Sequence, residues 1–349
     1  MASGVQEYDV GDEAEEKRGL LDSSRPIKSG KVVNWNDMEK LWRHVIYRQL
    51  RITPENYCFL LTQSANADTK EKERTLEIMM ETFNAHSLYL GAAPVFGLYS
   101  YGMTTGTVID AGADMTSVVP VHEGYPLGRH VTRSPVAGEV LTSHLSRLLE
   151  SKGYGFSTQL ERQLVNTVKE ELCYVRQYPH EEPLPGETFR LPDGQPIPVE
   201  EERYSCPEAL FNFKALGATY EPKEKVFADS GHEFHPSGAK GISWLAYAAI
   251  NNCEATLRPT LYKSMVLTGG TSLFRGTQER IHSEVTQYYK EMHQGEGLIP
   301  INIAGTACRQ YSAWLGGTMI SQITMFPHLT VSREEYEEKG HRIIHCKSL

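Results

Sequence analysis

"VIDAGADMTSVVPVHEGYPL", residues 108–127, is the stretch on which the fold turns. Apolar residues flank a turn rich in Asp and Gly, which reads as two β-strands joined in a hairpin of the kind that holds phosphate or a metal ion. Asp110 stands at a strand end with Gly112 two residues on. Backbone N–H groups there can face an anion while the carboxylate faces a cation or its water shell. The same D-x-G pattern also arises where a hairpin needs only its turn geometry. A clamp on a polyphosphate calls for a second such hairpin on a facing domain, so the rest of the chain is read for one.

Upstream, "NWNDMEKLWRHVIYRQL" places Met38, Leu41, Trp42 and Val45 at helical spacing, with Asn36 and Glu39 spaced like a capping box. "NYCFLLTQS" reads as a buried strand of a parallel sheet, followed by a helix, "TKEKERTLEIMMETFN", that turns Leu76, Met79, Met80 and Phe83 inward. "SLYLGAAPVFGLYSYG" carries a strand into a short helix. Downstream come two helices, "AGEVLTSHLSRLL" and "TQLERQLVNTVKEELCYV", then a hairpin, "FRLPDGQPIPV", with Asp193-Gly194 in its turn. Residues 220–241 are polar, contain Gly and Pro and lack periodicity, so they read as an exposed insertion. "SMVLTGGTSLFRG" is a strand, a Gly-Gly turn and the start of a helix. Strands alternating with helices predict an α/β protein with mostly parallel sheets.

Composition narrows the function. The 349 residues suit two domains. The formal charge is −9 and no Lys/Arg run forms a stripe, which disfavours direct nucleic-acid binding. The six cysteines form no C-x-x-C pair, so neither a zinc site nor a disulfide framework is expected, and a reducing cytosolic or nuclear compartment fits. The polar N-terminus has no signal-like apolar core and no later stretch is apolar enough to span a membrane, so no membrane partner is expected.

Two further segments could serve a nucleotide. Gly269, Gly270 and Thr271 follow a strand and open a helix, where backbone approaches a phosphate or sugar closely; a plain tight turn has the same sequence. Lys169 and Glu170, near a helix end, could flank an adenosine; their alternative is a solvated helix face.

Together with the flanking text these segments resemble the actin family. "YDVGDEAEEKRGLL", "NWNDMEKLW", "ETFN", "TTGTVIDAG", "VPVHEGYPL", "VKEELCYV", "LPDGQPI", "CPEALF", "MVLTGGTSLFRG", "YSAWLGG" and "SREEYEEKG" occur in the family's order, from Tyr8 onward. The resemblance implies an actin-like fold, two ribonuclease-H-like domains around a central cleft. The first comprises residues 1–102 plus 309–349, and the second residues 103–308 with the insertion near 220–241. It also implies a residual nucleotide site at Asp110, Gly112, Gly138, Lys169, Glu170, Gly269, Gly270, Thr271 and Phe274. A partner groove is implied at Tyr99, Gly102, Tyr125, Met319, Ile320, Met325 and Leu329, all apolar, aromatic or small as a helix-in-groove site requires.

Departures from the family's pattern set the functional expectation. The family's first phosphate hairpin, D-N-G-S-G, has no counterpart; Asp9-Val10-Gly11 lacks a strand pattern, so the clamp's other half is expected to be missing. Ala113 and Asp114 stand where the family has Asp and Gly, Ala93 where it has the Gln that orients the attacking water, and Ser117 where it has a His of the same network. Gln310 replaces a Lys at the adenine edge. A methyl group at Ala93 cannot orient water, which is most of what a protein contributes to phosphoryl transfer.

The expectation is therefore a non-enzymatic actin-related subunit of a larger cytoskeletal or motor-associated complex, cytoplasmic, with a degenerate cleft and no required cofactor. It would sit in an obligate hetero-complex, other actin-family subunits among its candidate partners, because the first domain's sheet would expose an unpaired edge. The alternatives are a nuclear subunit of a chromatin-remodelling complex, and a nucleotide-binding ATPase, holding ATP or ADP with Mg, whose gene model is incomplete.

Overall fold

The computed structural model describes residues 8–17, 23–178, 180–217, 226–228, 233–234, 241–293, 297 and 299–347. A short helix, Asp12–Glu16, precedes a hairpin of β1 (Ile27–Lys28) and β2 (Lys31–Val32). The helix Trp35–His44 follows, capped by Asn34, whose side chain accepts from the Asp37 N–H at 3.2 Å. The cap is thus Asn34 and not the expected Asn36. The helix then widens into a π-helical stretch, Val45–Leu50, which shifts the angular phase: His44 and Ile46 turn inward and Val45 outward, against the periodicity reading.

The first sheet is three-stranded: β3 (Cys58–Gln63), β4 (Ser87–Ala92) and, from the far end of the chain, β15 (Val331–Ser332), in the order β15-β4-β3. β3 runs parallel to β4 in register from Cys58 opposite Ser87 to Gln63 opposite Ala92. β4 is buried along its length, but β3 is half-exposed, because it lies at the sheet's edge. Its apolar sequence reads as a central strand, and the outer side of that strand has no β partner among the described residues. Leu76, Met79, Met80 and Phe83 form the core beside this sheet with Val331, Ile343 and Ile344 from the C-terminal segment. Burial of such side chains at roughly 1.5–3 kcal/mol each is what returns the chain's end to its beginning.

The second sheet has eight strands: β5 (Gly106–Ala111), β6 (Thr116–His122), β7 (Tyr125–Pro126), β8 (Thr132–Ser134), β11 (Val226–Ala228), β12 (Glu233–Phe234), β13 (Met265–Thr268) and β14 (Ile303–Ala304). The order is β12-β11-β8-β6-β5-β13-β14, with β7 paired to β6. β5 and β6 form the expected hairpin, Asp110 opposite Ser117, and β13 runs parallel to β5, bringing Thr268 opposite Asp110. A separate hairpin, β9 (Glu187–Arg190) and β10 (Pro196–Val199), turns at Gly194. Most of the stretch 220–241, expected to be an irregular insertion, lies outside the described residues; the strands described there, β11 and β12, pair with each other, and β11 pairs with β8. The short run Val226-Phe227-Ala228 suits a strand, and β8 offers it a ladder.

The helices Gly138–Ser151 and Gln159–Leu172 cover the second sheet, the latter started by a full capping box between Thr158 and Glu161. His144 is buried in the first of them. Burial, which disfavours the charged imidazolium, and secondly repulsion from Arg147 push its pKa down to about 4. The unfolded residue titrates near 6.5, so stability is present above that pH and is lost as pH falls toward 4, by up to about 3 kcal/mol. Replacing His144 by Gln is expected to flatten the urea-midpoint-versus-pH curve between those values. Parallel curves for variant and wild type would show that this histidine is not buried neutral.

Candidate functional site

The turn between β5 and β6 is held from several sides. The Gly112 N–H donates to the Met115 carbonyl at 3.1 Å, while the Gly138 and Glu139 N–H groups donate to the carbonyls of Gly112 and Ala113 at 3.1 and 2.7 Å. The Thr271 hydroxyl donates to the Gly112 carbonyl at 2.7 Å. Two of the free amides at the start of the helix Gly138–Ser151, which would otherwise suit an anion, are thus bonded to the turn itself.

Glycine is required at two of these positions. A Cβ at Gly138 would lie 2.8 Å from Thr271 Oγ1 and 3.2 Å from Ala113 Cα. At Gly269, φ is +85° and a Cβ would meet the Ala111 carbonyl oxygen at 2.3 Å. Gly270 has open space.

A hairpin faces the Asp110 turn, although it is not the D-N-G-S-G hairpin expected to be missing and its turn carries no Asp. It is β1–β2, whose turn residues Ser29 and Gly30 both have positive φ, +51° and +73°, as a type I′ turn demands. The backbone N–H of Ser29 donates to Asp114 Oδ2. Arg25, just before the hairpin, pairs with Glu139 at 2.7 Å. Sequence reasoning missed this element, although alternating "IKSGKV" with its Ser-Gly dipeptide is a hairpin signal.

Two cavities flank the turn. The smaller, about 400 Å³, is lined by Asp110, Ala93 and Ser117 together with Leu61, Leu90 and Arg133. The Thr268 hydroxyl donates to Asp110 Oδ1 at 3.0 Å, and burial pushes the Asp110 carboxyl above the usual range. A cation beside it would reverse that cost. The larger, about 870 Å³, is lined by Gly138, Lys169, Glu170, Gly270 and Thr271, with Lys28 of the hairpin at its rim.

Lys169 is not on a solvated face: it is 5% exposed. Its ammonium donates to the Gly138 carbonyl at 3.1 Å, Thr142 Oγ1 at 2.9 Å and Asn166 Oδ1 at 2.7 Å, using all three of its protons. Burial holds its pKa below the ordinary lysine value. Glu170 is exposed and accepts from Asn166 at 2.8 Å. Gly112 and Gly269 lie outside the lining of the larger cavity, and so does Phe274, which belongs to the core of the second sheet. Gln310 is exposed.

The partner-groove residues gather beside the helices Ala93–Tyr99 and Ser312–Ser321. Tyr125, Met319 and Met325 are each more than half exposed, and Gly102 is exposed at φ +70°. Tyr99 and Leu329 are half-buried against a cluster of Tyr89, Phe96, Ile320 and Phe326. Ile320 is therefore part of the floor and not of the open surface. Ile323, 47% exposed, extends the apolar strip and was not picked out from sequence.

This is an α/β protein in which two sheet-based units meet at a cleft bordered by opposing hairpins. The family model described as Actin matches residues 2–349, and the chain belongs to the actin family. The nucleotide and Mg that the family implies meet a divided site here. Gly138, Gly270, Thr271 and Glu170 leave room for the adenosine half. The phosphate half is altered: Asp114 puts a carboxylate where the family's turn has a glycine, and that carboxylate already accepts from the facing Ser29 amide, which leaves less room and one fewer free donor for a phosphate.

Gly269→Ala separates the two reasons for the glycine turn. In nucleotide-free protein it is expected to lower unfolding stability by about 1–3 kcal/mol in urea titration, from steric contact and positive φ. A neutral substitution would mean that the glycine serves ligand approach instead.

Proposed function

We propose that this actin-family chain is a non-catalytic structural subunit of a larger cytoplasmic, cytoskeletal or motor-associated assembly. The observation that carries the reading is the lining of the smaller cavity. Beside Asp110 stand the methyl group of Ala93 and the hydroxyl of Ser117, in a lining that mixes apolar Leu61 and Leu90 with polar Gln63, Glu71 and Arg133. An ATPase needs a group there to orient water in line with the terminal phosphate, and neither side chain supplies the required reach and polarity.

The partner half of the proposal draws on β3. Along its outer side, Cys58–Gln63 has no β partner among the described residues, and its side chains are half-exposed despite their apolar character. An edge of this kind suits strand addition by another protein, and left open it favours aggregation. The exposed apolar strip at Tyr125, Met319 and Met325 supports a second contact, with an amphipathic helix. All six cysteines are free thiols, in keeping with a reducing compartment.

Native mass spectrometry of the tagged protein, purified from its own cells at endogenous level, tests the proposal. The expected species is a defined heteromer without added nucleotide mass. A monomer carrying ATP or ADP plus a metal would overturn it.

A further inference from the structure

We infer that Asp114 is a built-in anion that ties the two units of the cleft together, its carboxylate holding the β1–β2 hairpin at the amide of Ser29. The bond joins two anchored points. On one side the hairpin is fixed to the first unit: Val32 N–H donates to Glu71 Oε1 at 3.0 Å, and Ser24 Oγ to Asp37 Oδ2 at 2.5 Å. Glu71 and Asp37 lie on the helices Thr69–Glu77 and Trp35–His44, so the hairpin moves with them. On the other side the 111–115 turn is fixed to the second unit through Gly138, Glu139 and Thr271. A link between two such points transmits force from one unit to the other, where the same link between loose loops would not.

The chemistry is that of a carboxylate accepting from a single backbone amide at a hairpin tip. A type I′ turn points a backbone N–H out of the hairpin tip, and an ionised carboxylate is among its strongest acceptors. The carboxylate comes from the protein, so the cleft closes without a bound anion. The ion pair Arg25–Glu139 and the hydrogen bond from Arg133 Nη2 to Ser64 Oγ at 3.1 Å cross the same gap. The first of these is exposed and contributes little by itself.

This inference rests on the degenerate-cleft reading proposed above, and the two are separable. Amide hydrogen exchange followed by mass spectrometry on the peptide containing residues 27–33 tests it, in wild type, Asp114→Ala and Asp114→Asn, with Glu139→Gln as a comparison. Asp114→Ala is expected to speed exchange at Ser29 on the order of tenfold or more, with small-angle scattering reporting an increased radius of gyration. Asp114→Asn, which keeps a neutral acceptor, is expected to fall between, and Glu139→Gln to remain near wild type. Unchanged exchange and radius in Asp114→Ala would overturn the inference. ATP with Mg bound by the wild-type protein would instead contradict the degenerate cleft, and the exchange result would stand independently of it.

Discussion

The whole arrangement depends on how closely the helix Ala93–Tyr99 is gripped. The helix Ser312–Ser321 crosses it so tightly that a Cβ on Gly316 would fall 1.8 Å from the Phe96 carbonyl oxygen. From other directions, a Cβ on Gly91 would meet the Phe96 ring at 2.4 Å, and one on Gly97 would meet Thr268 at 3.0 Å. Interiors packed at this density pass displacement on instead of absorbing it. This short helix begins at Ala93, in the cleft, and ends at Tyr99, in the apolar groove. The cleft and the apolar groove are therefore the two ends of one tightly packed element, against which the helix Ser312–Ser321 is held.

At the cleft end, groups that would recognise a ligand have protein partners. Lys169 gives its three protons to neutral oxygens of neighbouring elements, the amides of Gly138 and Glu139 are bonded to the 112–113 turn, and the Ser29 amide is bonded to Asp114. These bonds give Gly138, Lys169 and the 112–113 turn structural roles within the fold. Gly138 and Gly269 are fixed by close approach, and Lys169 by burial. Ala93 and Ser117, where the family has Gln and His, line the smaller cavity instead.

The 108–127 hairpin and the inward face of Leu76, Met79, Met80 and Phe83 were legible in the sequence because each is a local pattern of period two or near 3.6, whereas the mostly parallel sheets expected from alternating strands and helices were not found among the described residues: β5, β6, β7 and β8 follow one another and pair antiparallel. The burial of Lys169 was not legible for the opposite reason: whether a helical lysine is solvated depends on what a distant segment, here Gly138 and Thr142, places over it. The phase shift at Val45 and the exposure of β3 are likewise tertiary. A π-helical turn has no sequence period of its own, and an apolar strand reads the same at an edge as at a centre. The hairpin at 27–32 was readable from its Ser-Gly turn, but its place opposite Asp114 followed only from the fold.

The central claim is that the cleft is completed by the protein's own groups. Thermal unfolding of the purified chain with and without 1 mM ATP and Mg, a level of about 100 times a micromolar-range Kd, addresses it directly. The account predicts a Tm unchanged within about 1 °C. A rise of several degrees, as about 2.7 kcal/mol of linked binding would produce, would show that the cleft is a working nucleotide site.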